Sequence, residues 1–152
     1  MRLALLAAAG VLAAAAPAMA NEARLEIHSG VIWNHDSNDA TIGAAAGYDY
    51  DLNKLAFVGA EVSADKILAG VYNRVDFGFT GRAGVKINNS KLYGLAGYST
   101  TPCRGCGGGW QFGGGVQQNL FKNFYGKIEY RHYIGDETLK ADGLTAGFGV
   151  KF

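Results

Sequence analysis

The sequence predicts an all-β protein, an eight-stranded antiparallel up-and-down barrel that spans a membrane and follows a cleaved signal peptide. Residues 144–152 alternate between apolar and polar or small side chains, which is the period of a strand with one apolar face. The 23 glycines and two prolines disfavour long helices. Beyond residue 20, no segment approaches the roughly twenty consecutive apolar residues of a membrane-spanning helix. A membrane would therefore be crossed by strands.

The amino terminus has the features of a secretory signal. A basic residue is followed by an apolar run over residues 3–16, and Ala18, Met19 and Ala20 then match the small-x-small pattern that precedes a cleavage site. We therefore predict export and cleavage between Ala20 and Asn21.

This cleavage divides the chain into a signal peptide, residues 1–20, and a single barrel domain, residues 21–152. The mature chain would carry thirteen basic and thirteen acidic residues. Since nucleic-acid binding requires a basic excess, this balance argues against a nucleic-acid partner.

The mature sequence divides into eight alternating segments, each with one apolar face and one face of polar residues and glycine. The fourth is the longest and keeps its alternation throughout. The fifth is ambiguous, because Tyr93 and Leu95 share the parity of Lys91 and the two faces cannot be distinguished. The predicted strands are residues 24–33, 40–50, 55–63, 74–87, 91–99, 110–120, 124–133 and 143–152.

The predicted connections alternate between short turns and longer loops, as in barrels of the outer membrane. In a meander with an even number of strands, both chain ends lie on the short-turn side, which would be the periplasm. The short turns are 51–54, 88–90 and 121–123, and the longer loops are 34–39, 64–73, 100–109 and 134–141.

The polar faces of the predicted strands hold many glycines and few charges, which suits the narrow interior of an eight-stranded barrel. In a soluble barrel, the residues that face water would be rich in Lys, Glu, Thr and Gln. The apolar faces are therefore expected to meet lipid. Trp33 and Trp110 would lie at the outer interface, and Tyr48, Tyr50, Phe124 and Phe152 at the inner one.

Charged residues on the polar faces share the predicted lumen, where a buried charge is costly unless it is paired. We predict a ladder in which Glu61 and Glu129 meet Arg82 and Arg131, closing the barrel instead of leaving an open pore. The charged residues assigned to the lumen are Glu26, Glu61, Asp76, Glu129, Arg24, Arg74, Arg82, Lys86, Lys127 and Arg131.

Three stretches carry a family likeness: the signal ending at Ala18 to Ala20, the strand KIEYR at 127–131, and the closing GLTAGFGVKF ending at Phe152. They resemble the small outer-membrane β-barrel proteins of the opacity and OmpA-transmembrane-domain type. The resemblance implies a monomer in contact with outer-membrane lipid and lipopolysaccharide. It also implies insertion by the barrel-assembly machinery and periplasmic chaperones, with Phe152, together with Phe148 and Val150, as the assembly signal.

Cys103 and Cys106 form a C-x-x-C motif in a predicted loop. A haem attachment would need His at position 107, where Gly stands, and a zinc site would need two further ligands that the loop does not offer. A redox motif is a third alternative. In an exported loop we expect a disulfide.

His132 lies on the apolar parity near the predicted outer rim, where barrels that deacylate lipid A carry a catalytic His followed two residues later by Ser. Ile134 occupies that position here, and Glu137 alone cannot replace the missing nucleophile. The spacing of His28, His35 and His132 does not indicate a metal site. No cofactor is predicted.

The sequence therefore predicts a non-enzymatic barrel with a structural or surface-interaction role. One alternative is an adhesin-type barrel in which the loops 64–73 and 100–109 bind an extracellular ligand. The other is a lipid A deacylase-like enzyme, which the residue at position 134 disfavours.

Overall fold

The computed structural model describes residues 21–35, 37–69, 74–100, 107–135 and 140–152. Eight strands follow one another around a closed barrel, each antiparallel to its neighbours, and the last strand pairs with the first. The strands are β1 (Glu22–Trp33), β2 (Asn38–Asp51), β3 (Ala56–Ile67), β4 (Asp76–Ile87), β5 (Ser90–Ser99), β6 (Gly109–Asn119), β7 (Phe124–Gly135) and β8 (Lys140–Lys151). The predicted all-β barrel is confirmed.

The predicted signal peptide lies outside the described residues. Within the described ranges, no helix is long and apolar enough to cross a membrane.

Several strands run further toward the long connections than the sequence predicts. β3 continues to Ile67, which pairs with Thr41 of β2, and β7 continues to Gly135. The connections 34–37 and 136–139 have four residues each, as do the turns 52–55 and 120–123 at the opposite end, and the predicted asymmetry rests on 68–75 and 100–108. We call the end that carries these two connections the loop end and the other the turn end.

At the turn end, β4 and β5 form the tightest hairpin, and its first turn residue, Asn88, has a φ of 53°. Asparagine tolerates this left-handed conformation better than most residues, and such turns match the twist of paired strands.

The barrel is apolar outside and polar inside. Ile27 and Ile128 expose more than 60% of their surface, whereas Arg24 and Glu129, which face inward on the same strands, expose 2%. This distribution is the reverse of a soluble protein and is the one expected for a barrel in lipid. In β5, Lys91, Tyr93 and Leu95 are the buried set, so the odd residues of this strand face the lumen.

Inward-facing glycines leave space for the long side chains that cross the lumen. A Cβ atom at Gly47 would lie 2.6 Å from Cζ of Arg24, and one at Gly149 would lie 2.5 Å from the phenol ring of Tyr125. Both distances are well below van der Waals contact. The glycine-rich polar face therefore serves close packing.

Aromatic side chains collect on the outer surface near both ends of the barrel. At the loop end, the ring centroids of Tyr98 and Trp110 are 5.7 Å apart, and those of Trp33 and Tyr130 are 6.5 Å apart. At the turn end, Phe124 stacks on Phe148 at 5.6 Å. These two belts match the aromatic girdles of membrane barrels.

Candidate functional site in the barrel lumen

The layer of the lumen nearest the turn end is centred on Asp49, which is fully buried. Arg82 donates to both carboxylate oxygens, with Nε to Oδ1 at 2.8 Å and Nη2 to Oδ2 at 2.5 Å. Lys91 Nζ donates to Oδ2 at 2.8 Å, and Arg24 Nε lies 3.5 Å from Oδ1. A bidentate arginine with further cations compensates the loss of water around this carboxylate.

A second layer surrounds the ammonium group of Lys127, which is buried. It forms an ion pair with Glu26 and lies 3.6 Å from Glu61 and 3.3 Å from Glu129. Arg24 Nη1 donates to the same Glu61 at 2.6 Å, so this layer is joined to the one around Asp49. Charges from β1, β3 and β7 thus meet across the barrel.

Arg131 lies toward the loop end of this layer and bridges both predicted carboxylates. Its Nε donates to Glu129 at 2.6 Å, its Nη2 to Glu61 at 2.9 Å, and its Nη1 to Gln111 at 3.1 Å. The structure thus brings together Glu61, Glu129 and Arg131. Arg82, however, contacts Asp49 and Gln117 instead of Glu61 or Glu129, so its predicted partners are wrong.

Aromatic rings fill the space between the charges. The guanidinium of Arg82 lies 4.6 Å from the ring centroid of Tyr93 and 5.4 Å from that of Phe57, within cation–π range. Tyr93 donates its hydroxyl to Glu129 at 2.7 Å, and Tyr125 donates to Glu26 at 2.8 Å. The rings therefore pack against the cations while their hydroxyls serve the carboxylates.

The other charged residues assigned to the lumen behave differently from one another. Arg74 precedes β4 and is exposed, so it is not a lumen residue. Asp76 begins β4 and is half-buried, with bonds from the hydroxyls of Ser99 and Thr100. Lys86 pairs with Asp51 near the turn end at 2.6 Å.

Sequence reasoning missed Asp49 and Lys91 as members of the network. Asp49 lay on the polar parity of β2, which was the available signal, but it was not counted among the lumen carboxylates. Lys91 lay in the strand whose faces could not be assigned. Both lie at the turn end, where neighbouring strands contribute charges at the same height.

His132 and Asp142 form a polar pair on the outer surface near the loop end. His132 Nδ1 lies 2.7 Å from Asp142 Oδ1, and Tyr130 donates its hydroxyl to the same oxygen at 2.5 Å. Such a pair orients an imidazole, but Ile134 supplies no nucleophile. In the described ranges, no three His, Cys, Asp or Glu side chains are placed to hold a metal ion.

The predicted assembly signal lies on the outer face of β8 and at the residue after it. Phe152 exchanges backbone hydrogen bonds with Ala23 at 2.8 and 3.3 Å, and its ring is largely exposed. Phe148 is also exposed, and Val150 is partly so. These three residues therefore lie together on the outer surface of the barrel at the turn end.

Several predicted sites lie outside the described residues: Ala18 and Ala20 of the cleavage pattern, Cys103, Cys106 and Glu137. Asn21, the residue after the predicted cleavage, is described and accepts a hydrogen bond from the backbone of Asp51 at 3.4 Å.

Residues 4–152 match the family model described as outer membrane protein beta-barrel domain. Ail, the attachment invasion locus protein of Yersinia pestis, matches with a TM-score of 0.58 and 19% identity, covering 87% of this chain and 97% of Ail. A search of curated proteins finds no match.

Two further solved barrels are similar. The N-terminal β-barrel domain of OprF from Pseudomonas aeruginosa matches with a TM-score of 0.55 and 17% identity, over 85% of this chain and 97% of that domain. Neisserial surface protein A matches with a TM-score of 0.53 and 13% identity, over 87% of this chain and 97% of that protein. At these identities the likeness concerns the fold.

Proposed function

Because the chain belongs to the family of outer-membrane β-barrel domains, we propose that it is a non-enzymatic barrel with a structural or surface-interaction role and a lumen closed by side chains. The observation that carries this proposal is the buried network around Lys127 and Arg131, which joins β1, β3, β6 and β7 across the interior.

A closed lumen is tested by conductance in planar bilayers. The wild-type barrel should give no large, steady open channels, because Arg131 and its three partners occupy the cross-section. Arg131→Ala should raise the conductance, whereas Asp142→Asn, on the outer face, should leave it unchanged. Large steady channels in the wild-type protein would contradict a closed interior.

The proposal includes export by a signal cleaved after Ala20 and assembly through Phe152, with Phe148 and Val150 on the same face. Exposure of the Phe152 ring supports an assembly role, because the ring is free to be recognised. Phe152→Ala keeps the backbone hydrogen bonds to Ala23 and should lower the amount of folded barrel in membranes while leaving folding of the purified chain into detergent unchanged. Amino-terminal sequencing of the mature protein tests the cleavage site.

We expect lipid and lipopolysaccharide as surroundings, and the barrel-assembly machinery and periplasmic chaperones as partners during insertion. The apolar exterior with its two aromatic belts supports the lipid contact. Cys103 and Cys106 are proposed to form a disulfide in the loop that follows β5. Thiol labelling before and after reduction tests it, and two free thiols in the native protein would refute it.

A second role is the binding of an extracellular ligand. It is supported by the connections 68–75 and 100–108 at the loop end, which are longer than the two-residue turn 88–89 at the turn end. Each connection would be replaced by a short Gly-Ser turn, with replacement of 34–37 as the control. The binding role would be favoured if cells carrying a shortened connection were no longer retained on glycan arrays while their envelope stayed intact. Loss of envelope integrity alone would favour the structural one.

A lipid-modifying activity is the alternative that His132 raises. Ile134 stands two residues beyond it, and this supports the absence of acyl-enzyme chemistry. Incubation of the folded protein with lipopolysaccharide tests this point, because release of fatty acid would overturn a non-enzymatic role.

A further inference from the structure

At the loop end the lumen opens into a cavity of about 110 Å³, which we call the vestibule. It lies above the network of Lys127 and Arg131 and shares Arg131 with it. Its floor is made by His28, Asp65, Asp76 and Arg131, and its walls include Ile32, Ile67, Tyr133, Ala141 and Gly143.

The floor of the vestibule is acidic. Asp65 and Asp76 are direct cross-strand partners on β3 and β4. Asp65 accepts from the hydroxyl of Ser63 at 2.7 Å and lies 2.5 Å from His28 Nε2.

Asp76 is contacted by the hydroxyls of Ser99 and Thr100, the latter at 2.9 Å. Hydroxyl donors stabilise a carboxylate without neutralising its charge. Arg131, the arginine in the floor, already bridges Glu61 and Glu129. Asp65 is paired with His28, whereas Asp76 meets no cation within 4 Å among the described residues. Asp76 is therefore the carboxylate of the floor whose charge is left for a ligand.

The walls nearer the mouth combine two isoleucines with polar residues such as Asp39, Thr41 and Thr100. Ile67 follows Asp65 by two positions on β3, and Ile32 follows His28 by four on β1, so both isoleucines lie on the side of the loop end. Two residues of a strand advance about 6.6 Å. Ile32 and Ile67 therefore offer apolar surface between the floor and the mouth of the vestibule.

We propose that the vestibule is a binding site for a small alkylammonium cation, with its charged group against Asp76 and its hydrocarbon stem against Ile32 and Ile67. Amphiphilic cations bury their stems and keep the charged head at a polar site, as lysine side chains do. An apolar cavity of about 150 Å³ holds benzene, so the vestibule suits a short alkyl chain.

The test uses the full chain folded in detergent micelles and three probes of the same length: n-butylammonium, n-butanol and butyrate. Binding is followed by NMR shifts of backbone amides in β3 and β4. We expect saturable binding of n-butylammonium, at least tenfold tighter than that of either other probe. Equal binding of n-butanol, tighter binding of butyrate, or no saturable binding of n-butylammonium would each overturn the proposal.

Two pairs of variants locate the site. Asp76→Asn should weaken n-butylammonium binding about tenfold, the effect of losing one charge-assisted contact. Asp142→Asn removes a carboxylate at the same end but on the outer face and should change nothing. Equal weakening by both variants would indicate nonspecific attraction and overturn the site.

The second pair changes the size of the vestibule. A Cβ atom at Gly143 would lie 3.5 Å from Tyr133 Cε2 and 3.7 Å from the carbonyl oxygen of Val31, so the position accepts a side chain. Gly143→Leu should fill the cavity and abolish binding, while Gly143→Ala should retain it. Heat-modifiable migration in detergent gels establishes that each variant is folded, and unchanged binding by folded Gly143→Leu would contradict the site.

Discussion

The two halves of the lumen treat buried carboxylates differently. Toward the turn end and centre, Asp49 and Glu61 each meet three cations within 4 Å. Toward the loop end, Asp76 meets two hydroxyls and faces a second carboxylate across the strands. The first half is cross-linked by charge, and the second surrounds a cavity.

Access to water accounts for the difference. A carboxylate enclosed on all sides loses its hydration and needs ionic partners to remain charged. Asp76 is only half-buried and lies beside a cavity near the mouth of the barrel, so solvent can share in its stabilisation. Charge pairing in the lower half therefore maintains the fold, whereas charge in the vestibule is available to a ligand.

The largest effect is expected for Glu61→Gln. This change leaves Arg24, Lys127 and Arg131 without a shared carboxylate, and breaking a buried ion pair costs about 3–5 kcal/mol. Urea unfolding in lipid vesicles measures the free energy of unfolding. The control is Asp142→Asn, at the exposed pair with His132 on the outer face, which should cost less than about 1 kcal/mol. Equal losses would abolish the distinction between enclosed and accessible charge.

A smaller effect is expected in a double-mutant cycle of Arg82→Met with Asp49→Asn. The bidentate contact predicts a coupling energy of about 2 kcal/mol. The matched cycle of Arg82→Met with Glu129→Gln should give a smaller coupling, because these side chains are joined only through Tyr93. Stronger coupling to Glu129 would restore the pairing predicted from sequence and contradict the observed layer around Asp49.

Strand alternation was sufficient to predict the barrel and most inward-facing residues. The period of two assigns a face to Glu61, Glu129 and Arg131 without any knowledge of neighbouring strands. Pairing across the lumen depends instead on the position of each residue along the barrel axis, and this position is set by the stagger between strands. Arg82 was therefore assigned to the correct face but to the wrong partners.

The vestibule could not be predicted for a related reason. Its floor combines His28, Asp65 and Asp76 from three strands, and β3 had been expected to end before Asp65. A polar residue beyond an expected strand end is interpreted as loop. The ambiguity of β5 had a different origin, because Tyr93 and Leu95 are large apolar residues that face inward to pack beside Arg82 and its neighbours.

Substituting alanine for two glycines of β8 compares the packing of the two halves of the lumen. Gly149→Ala brings a Cβ atom to 2.5 Å from Tyr125, and such overpacking costs about 1–3 kcal/mol. Gly143→Ala meets ordinary contacts beside the vestibule and should stabilise the barrel by about 0.5 kcal/mol, through the lower entropy of the unfolded chain. Both are measured by urea unfolding. Similar costs at the two positions would mean that the upper lumen is as tightly packed as the lower.

Among the lumen carboxylates, the smallest loss of stability is expected for Asp76→Asn. An asparagine keeps an oxygen that accepts from Ser99 or Thr100, and no ion pair of the described residues is broken, so the free energy of unfolding should change by less than about 1 kcal/mol. The same variant is expected to bind n-butylammonium with about tenfold lower affinity. A loss as large as that of Glu61→Gln would show that the vestibule carboxylate maintains the fold, and the two halves would then differ only in the identity of their donors.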